Sequence, residues 1–133
     1  MLHMSSGPLH YEGSKLIVAV DPHIVLFYRS LIPKCHGVLG QRYPPHISVV
    51  RKEVPLNIDI WGKHEGEKVE FFYDSDTLWD SKYWWLNVYS SRLDIIRTEL
   101  GLSNKNMFLT PPDGFEKVFH ISIGNTKELS NNL

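Results

Sequence analysis

Short apolar runs alternate along this chain with polar segments that contain glycine and proline, and each run has the length of a single strand or helix. Residues 15–20 form a β-branched apolar run, which predicts a buried strand. Asp21 and Pro22 follow, a pair typical of a helix start, because the carboxylate caps free amides and a first-turn proline loses no hydrogen bond. Apolar residues then recur at helical spacing as far as Ile32, and Pro33 ends the helix.

Three further segments have the composition of strands. Residues 46–51 follow a loop that ends in Pro44 and Pro45, and the residue before a proline avoids the helical region. Residues 67–73 and 82–90 are rich in aromatic and β-branched side chains. We expect the first of these segments to be extended and the other two to form an antiparallel pair.

A second helix and a final strand are predicted in the last third of the chain. Ser91 with Asp94 resembles a helix-capping arrangement, and the helical pattern that follows stops at Gly101. Residues 103–117 contain Asn, Pro and Gly without periodicity, which predicts a loop. Residues 118–123 alternate as a strand does, and the polar tail after them is expected to fray.

Composition excludes several classes of function. With 133 residues, 42% of them hydrophobic and 22% charged, the chain has the size and make-up of one globular domain. The formal net charge of -1 provides no broad positive field for long nucleic acid or an anionic membrane. The one cysteine, Cys35, excludes an internal disulfide and a thiolate zinc cluster. With no secretory signal and no apolar stretch of about 20 residues, these features predict a cytoplasmic protein.

One motif occurs twice, 74 residues apart, and carries most of the functional information. Residues 46–49 read His-Ile-Ser-Val, and residues 120–123 read His-Ile-Ser-Ile. Side chains alternate along a strand, so the histidine and the serine of each motif share one face and the aliphatic residues face the core. If the two faces meet across a cleft, they present two imidazoles and two hydroxyls to one small ligand.

Such a set of groups suits phosphodiester chemistry. A neutral imidazole removes a proton from the attacking hydroxyl, and a protonated imidazole delivers one to the leaving oxygen. Hydroxyls donate to the non-bridging oxygens, where charge grows in the transition state. We therefore predict that His46, Ser48, His120 and Ser122 are catalytic, without a metal ion or other cofactor. Which histidine is the base stays open at this point.

The two motifs resemble those of the two-histidine (2H) phosphoesterase superfamily, which carries one motif of the form His, apolar, Ser or Thr, apolar in each half of the chain. The resemblance implies an α+β, bilobal fold in which two antiparallel sheet lobes with flanking helices surround a central cleft. The lobes would cover roughly residues 15–55 and 67–124 of a single domain spanning 1–133, a division compatible with strand exchange between them.

The short chain, Pro44-Pro45 before the first motif and Arg51-Lys52 after it are similar to the bacteriophage branch of that superfamily. This resemblance implies a nuclease that cleaves the 3′–5′ bonds of cyclic di- and trinucleotide messengers to linear products and so counteracts CBASS immunity in the cytoplasm of a bacterial host. Two alternatives remain open: a phosphodiesterase that opens 2′,3′-cyclic phosphates at RNA ends, and a sponge that binds cyclic nucleotides without cleaving them.

Four residues outside the motifs are candidates for substrate binding. Trp79 lies among polar residues and Tyr11 just before the first predicted strand, and either ring would stack on a base. Arg51 and Lys117 lie within three residues of a motif and would bind phosphate. The expected partner is thus a cyclic oligonucleotide or a small RNA-type substrate.

Overall fold

A computed structural model describes residues 1–126 of the chain. Within these residues there are seven strands and two α-helices, joined by loops that include two short 3-10 turns, Lys34–His36 and Ile58–Ile60. The strands are β1 (Leu2–Glu12), β2 (Lys15–Ala19), β3 (His46–Val50), β4 (Lys68–Asp74), β5 (Leu78–Trp79), β6 (Tyr83–Tyr89) and β7 (Phe119–Asn125), and the helices are α1 (Pro22–Ser30) and α2 (Ser91–Glu99).

Six of the strands close into an antiparallel barrel. The order in the sheet is β4-β1-β2-β3-β7-β6-β5, and a further pairing between β4 and β6 completes the ring, leaving β5 outside it. The prediction of an α+β, bilobal fold with two sheet lobes around a cleft is therefore wrong. The physical reason is that β3 and β7, which carry the two motifs, bond directly to each other instead of lying in separate sheets.

The barrel interior is mainly aliphatic, with a few aromatic rings, and the motifs contribute their aliphatic residues to it, as their alternation predicts. Ile47 and Ile121 are wholly buried and lie opposite each other on β3 and β7. On β6, Leu86 and Val88 are equally buried, and Trp84 is 5% exposed. Because neighbours along a strand point to opposite faces, the residues between these core positions lie on the outside of the barrel.

Strand β1 is the largest element that the sequence pattern does not predict. It pairs with β2 on one side and with β4 on the other, so without it the barrel would not close. Gly7 and Pro8 lie in its middle, and such residues are depleted in strands. Gly7 is required because a Cβ atom there would collide with the backbone carbonyl oxygen of Ala19 on β2.

Both predicted helices are confirmed, with one corrected cap. Asp21 caps α1 by accepting a hydrogen bond from the amide of His23, and Pro22 occupies the first turn. Helix α2 is capped by Ser90, whose hydroxyl accepts from the amide of Leu93, and not by the predicted Ser91. Asp94 instead accepts the amides of Glu116 and Lys117 in the loop before β7.

The predicted antiparallel pair in the middle of the chain is also confirmed. Strands β4 and β6 meet at Phe72 opposite Tyr89 and at Tyr73 opposite Val88. This short contact is the seam that closes the barrel.

No helix within residues 1–126 has the length and apolar character needed to span a membrane. The prediction of a frayed tail from residue 124 is wrong at its start, because β7 continues to Asn125. The rest of that prediction falls on residues 127–133, which lie outside the described residues.

Candidate active site

The two motifs lie side by side on the outer surface of the barrel. The pairing of Ile47 with Ile121 sets an antiparallel register in which His46 is opposite Ser122 and Ser48 is opposite His120. Side chains directly opposite each other have Cβ atoms about 5 Å apart, and diagonal neighbours are about 7–8 Å apart. The two imidazoles are such a diagonal pair. We call these four residues the His-Ser block.

The block forms two rows on the barrel surface, one with His46 and Ser122 and the other with Ser48 and His120. The strands on either side, β2 and β6, extend both rows. Strand β6 places Trp85 next to Ser122 and Asn87 next to His120. Strand β2 places Ala19 beside His46 and Ile17 beside Ser48. One flank of the block is therefore aromatic and polar, and the other is aliphatic.

His46 has one ring nitrogen committed to the backbone. Its Nδ1 lies 2.8 Å from the carbonyl oxygen of Pro44. A carbonyl only accepts, so Nδ1 must donate, and it does so in both the neutral and the protonated ring. Nε2 is therefore the nitrogen that gains and loses a proton. Pro44, which the sequence places in the loop before β3, thus fixes the orientation of the ring.

His120 differs from His46 in its surroundings. Its ring meets the Trp85 indole edge to face, with centroids 5.9 Å apart and planes at 80°. Desolvation by the surrounding protein and, to a smaller extent, the positive charge of Lys117 lower the pKa of His120 below its ordinary value of 6.5. The residue still reaches solvent, so at neutral pH it is an accessible, neutral imidazole.

The two serines have free hydroxyl groups. Among residues 1–126, neither Ser48 nor Ser122 makes a side-chain hydrogen bond with the protein, so both hydroxyls are available to a ligand. Ser122 and His120 line a pocket of about 240 Å³ that continues over Trp85, Tyr83 and Asp80. A ligand atom held at the block would thus have an aromatic pocket beside it.

Two buried side chains of α2, Arg97 and Asp94, anchor the end of β3 and the loop before β7. Arg97 of α2 is 1% exposed and donates to the carbonyl oxygens of Val49 and Ser103 and to both carboxylate oxygens of Glu53. Asp94, one turn earlier, accepts the amides of Glu116 and Lys117 at 2.9 and 3.2 Å. Helix α2 thereby holds the ends of β3 and of the loop before β7 in place.

The candidate phosphate-binding residues lie at this anchored end. Lys117 is close enough to His120 for its charge to affect that ring. Desolvation, followed by the charge of Arg97, lowers the pKa of Lys117 itself. Arg51 follows β3 directly and is exposed. Both cations are near the block, but neither belongs to it.

The two aromatic residues that we expected to bind a base lie elsewhere. Tyr11 pairs with the buried Leu16, packs against Trp61 and accepts a hydrogen bond from the amide of His64. Trp79 stacks on Trp84 with centroids 5.3 Å apart. Because Trp84 points inwards and Trp85 outwards, Trp79 is on the other side of the β5–β6 ribbon from the block.

Trp79 instead contributes to a second pocket. This pocket, of about 300 Å³, lies between the end of α1 and the β5–β6 ribbon and also includes His36 and Trp84. The His36 ring lies 5.8 Å from Trp79 and 6.0 Å from Trp84, measured between centroids. It is an aromatic cluster separate from the His-Ser block.

Sequence reasoning missed Asp80, Tyr83 and Trp85, which line the pocket beside the block. One signal was available: the alternation that buries Trp84 and Leu86 requires Tyr83 and Trp85 to face outwards. The pattern does not reveal that β6 pairs with β7, and this pairing is what places the outward-facing Tyr83 and Trp85 beside the second motif.

Within the described part of the chain, no group of three or more His, Cys, Asp or Glu residues is arranged to hold a metal ion.

Comparisons with known proteins add no information, so the geometry of the His-Ser block and its pocket is the main evidence on function. No protein-family model, no curated protein and no solved structure matches this chain.

Proposed function

We propose that this protein is a phosphodiesterase and that the His-Ser block is its active site. The observation that supports this most strongly is the diagonal placement of two imidazoles and two unbonded hydroxyls on adjacent strands. Phosphodiester cleavage needs a base, an acid and donors for the non-bridging oxygens, and the block supplies one group for each task. The proposal rests on the site and not on a bilobal fold, which the chain does not have.

In this proposal His120 is the general base and His46 the general acid. A lowered pKa keeps His120 neutral at physiological pH, ready to accept a proton. His46 donates from Nδ1 to the carbonyl of Pro44, an acceptor that suits a protonated ring, and Nε2 then carries the proton for the leaving group. Ser48 and Ser122 donate to the non-bridging oxygens. This assigns the two roles that the sequence leaves open.

We propose a cyclic di- or trinucleotide built from ribonucleotides as the substrate. The 2′-hydroxyl loses its proton to His120 and attacks the adjacent phosphorus, and the bond from phosphorus to the 5′-oxygen breaks. The leaving oxygen takes the proton from His46, which yields a linear product ending in a 2′,3′-cyclic phosphate. The small pocket beside the block and the net charge of -1 favour a compact ligand over a long polymer. By resemblance, the biological role would be to remove the cyclic messengers of CBASS immunity.

Product analysis tests the proposal. The protein is incubated in EDTA with cyclic dinucleotides, and separately with a short RNA that ends in a 2′,3′-cyclic phosphate, and the products are identified by mass. We expect linear products from the cyclic dinucleotides. Turnover of the RNA end alone would instead favour the RNA-repair alternative, and recovery of the intact cyclic nucleotide after heat denaturation would favour the sponge. A 2′-deoxy cyclic dinucleotide should resist cleavage if the 2′-hydroxyl is the nucleophile.

A further inference from the structure

The pocket beside the His-Ser block combines two aromatic rings with one carboxylate. Tyr83 and Trp85 alternate along β6 and so project from the same face. The indole Nε1 of Trp85 donates to the side-chain oxygen of Asn87 at 3.3 Å, and its ring packs against His120. These contacts hold the indole in one orientation next to the proposed reaction centre. Flat aromatic walls of this kind suit a nucleobase, since every base has a π-face to stack.

The carboxylate of Asp80 is held rigidly at the edge of the same pocket. One of its oxygens, Oδ1, accepts the amides of Lys82 and Tyr83 at 2.8 and 2.7 Å and so closes the turn between β5 and β6. These bonds lower the pKa of Asp80, which keeps the group ionised. Among residues 1–126, the other oxygen, Oδ2, accepts no hydrogen bond. The pocket therefore contains a fixed group that only accepts hydrogen bonds.

Such a group distinguishes between the bases. A carboxylate oxygen needs N–H donors, and the Watson–Crick edge of guanine offers two adjacent ones, N1–H and the N2 amino group. Adenine offers one amino group next to the N1 acceptor, which a carboxylate repels. Uracil offers a single N–H between two acceptors, and cytosine an amino group next to an acceptor. Guanine is the base that best satisfies Asp80.

We infer that this pocket binds a guanine base, stacked on Trp85 and Tyr83 with its N1–H and N2 amino group directed at Asp80. The inference rests on the proposed function in one respect: the guanine is taken to belong to the nucleotide whose phosphate lies at the His-Ser block. The substrates this selects are guanine-containing cyclic oligonucleotides. Base recognition is measured separately from cleavage, so each idea can fail without the other.

Calorimetric binding of mononucleotides to the full chain tests the inference. GMP should bind about 10- to 100-fold more tightly than AMP, the range expected for hydrogen bonds to a charged group. IMP, which keeps N1–H and lacks the amino group, should lie between them. In Asp80→Asn the side-chain oxygen still closes the turn while an NH₂ replaces Oδ2, so the preference for GMP should disappear. Asp76→Asn removes the same charge from a nearby exposed turn outside the pocket and should keep the preference.

A modified ligand makes the test independent of any variant that fails to fold. GMP methylated at N1 cannot donate from that position, so it should bind wild-type protein no better than AMP. Equal binding of GMP, its N1-methyl form and AMP would overturn the guanine site. Selective GMP binding without cleavage of any cyclic dinucleotide would support the guanine site while contradicting the phosphodiesterase. Cleavage of cyclic dinucleotides without any base preference would support the phosphodiesterase while contradicting the guanine site.

Discussion

Replacing His120 with Asn should lower the rate of cyclic dinucleotide cleavage by about 10²–10⁴-fold, the usual contribution of one positioned proton-transfer group. His46→Asn should cause a loss of the same order, because the leaving oxygen then departs without a proton. Both residues lie on the outer surface of the barrel, away from the aliphatic interior formed by Ile47 and Ile121. The amide of Asn is smaller than the ring and polar, so the fold should be retained. The measurement is kcat/KM for cyclic dinucleotide cleavage by each variant, with EDTA in excess.

A histidine outside the block provides the control. The side chain of His23 is 90% exposed at the start of α1, and its ring contacts Asp21. His23→Asn should retain full activity. Circular dichroism and the thermal midpoint would verify that all three variants are folded. Wild-type rates in either His120→Asn or His46→Asn would contradict the assignment of the site.

Arg97→Met should reduce the free energy of unfolding by about 1.5–3 kcal/mol, the range for hydrogen bonds to a charged group, because Arg97 is buried whereas its partner Glu53 is 37% exposed and solvent screens the ion pair itself. The guanidinium makes five hydrogen bonds, including one to Asn104. Its removal leaves the buried carbonyl of Val49 without a donor and Glu53 without its cation. Urea unfolding of the variant and of the wild type gives the difference.

A matched arginine lies on the same helix. Arg92 also binds a carboxylate through two nitrogens, at 2.7 and 2.9 Å from Glu67, but its side chain is 37% exposed. Solvent screens that pair, so Arg92→Met should cost less than about 1 kcal/mol. Equal losses of unfolding free energy in the two variants would show that burial does not make the hydrogen bonds of Arg97 more stabilising than those of Arg92.

Local chemistry made much of the secondary structure predictable. The Asp21-Pro22 cap, the two helices, and the strands that hold the motifs all follow from short-range signals that act within a few residues. Strand β1 did not follow, because Gly7 and Pro8 have low strand propensity and are used there for close approach and closure. Propensity describes a residue in isolation, whereas β1 is stabilised by pairing with strands on both sides.

The catalytic candidates were predictable for a similar reason, and their binding pocket was not. Alternation alone puts each histidine and serine on one face, which the structure bears out by burying Ile47 and Ile121. It does not say which strand is the neighbour, and that long-range pairing decides that Trp85 lies beside Ser122 while Trp79 lies on the opposite side of the ribbon. The choice between two lobes and one barrel depended on the same pairing of β3 with β7.

The pH dependence of kcat/KM tests most directly the claim that His120 and His46 work as a base and an acid on one phosphodiester. His120 must be neutral to act, and its pKa is lowered, so the acidic limb of a bell-shaped profile should have its midpoint below 6.5. The acidic limb should vanish in His120→Asn. An acidic limb that persists in His120→Asn would contradict the account.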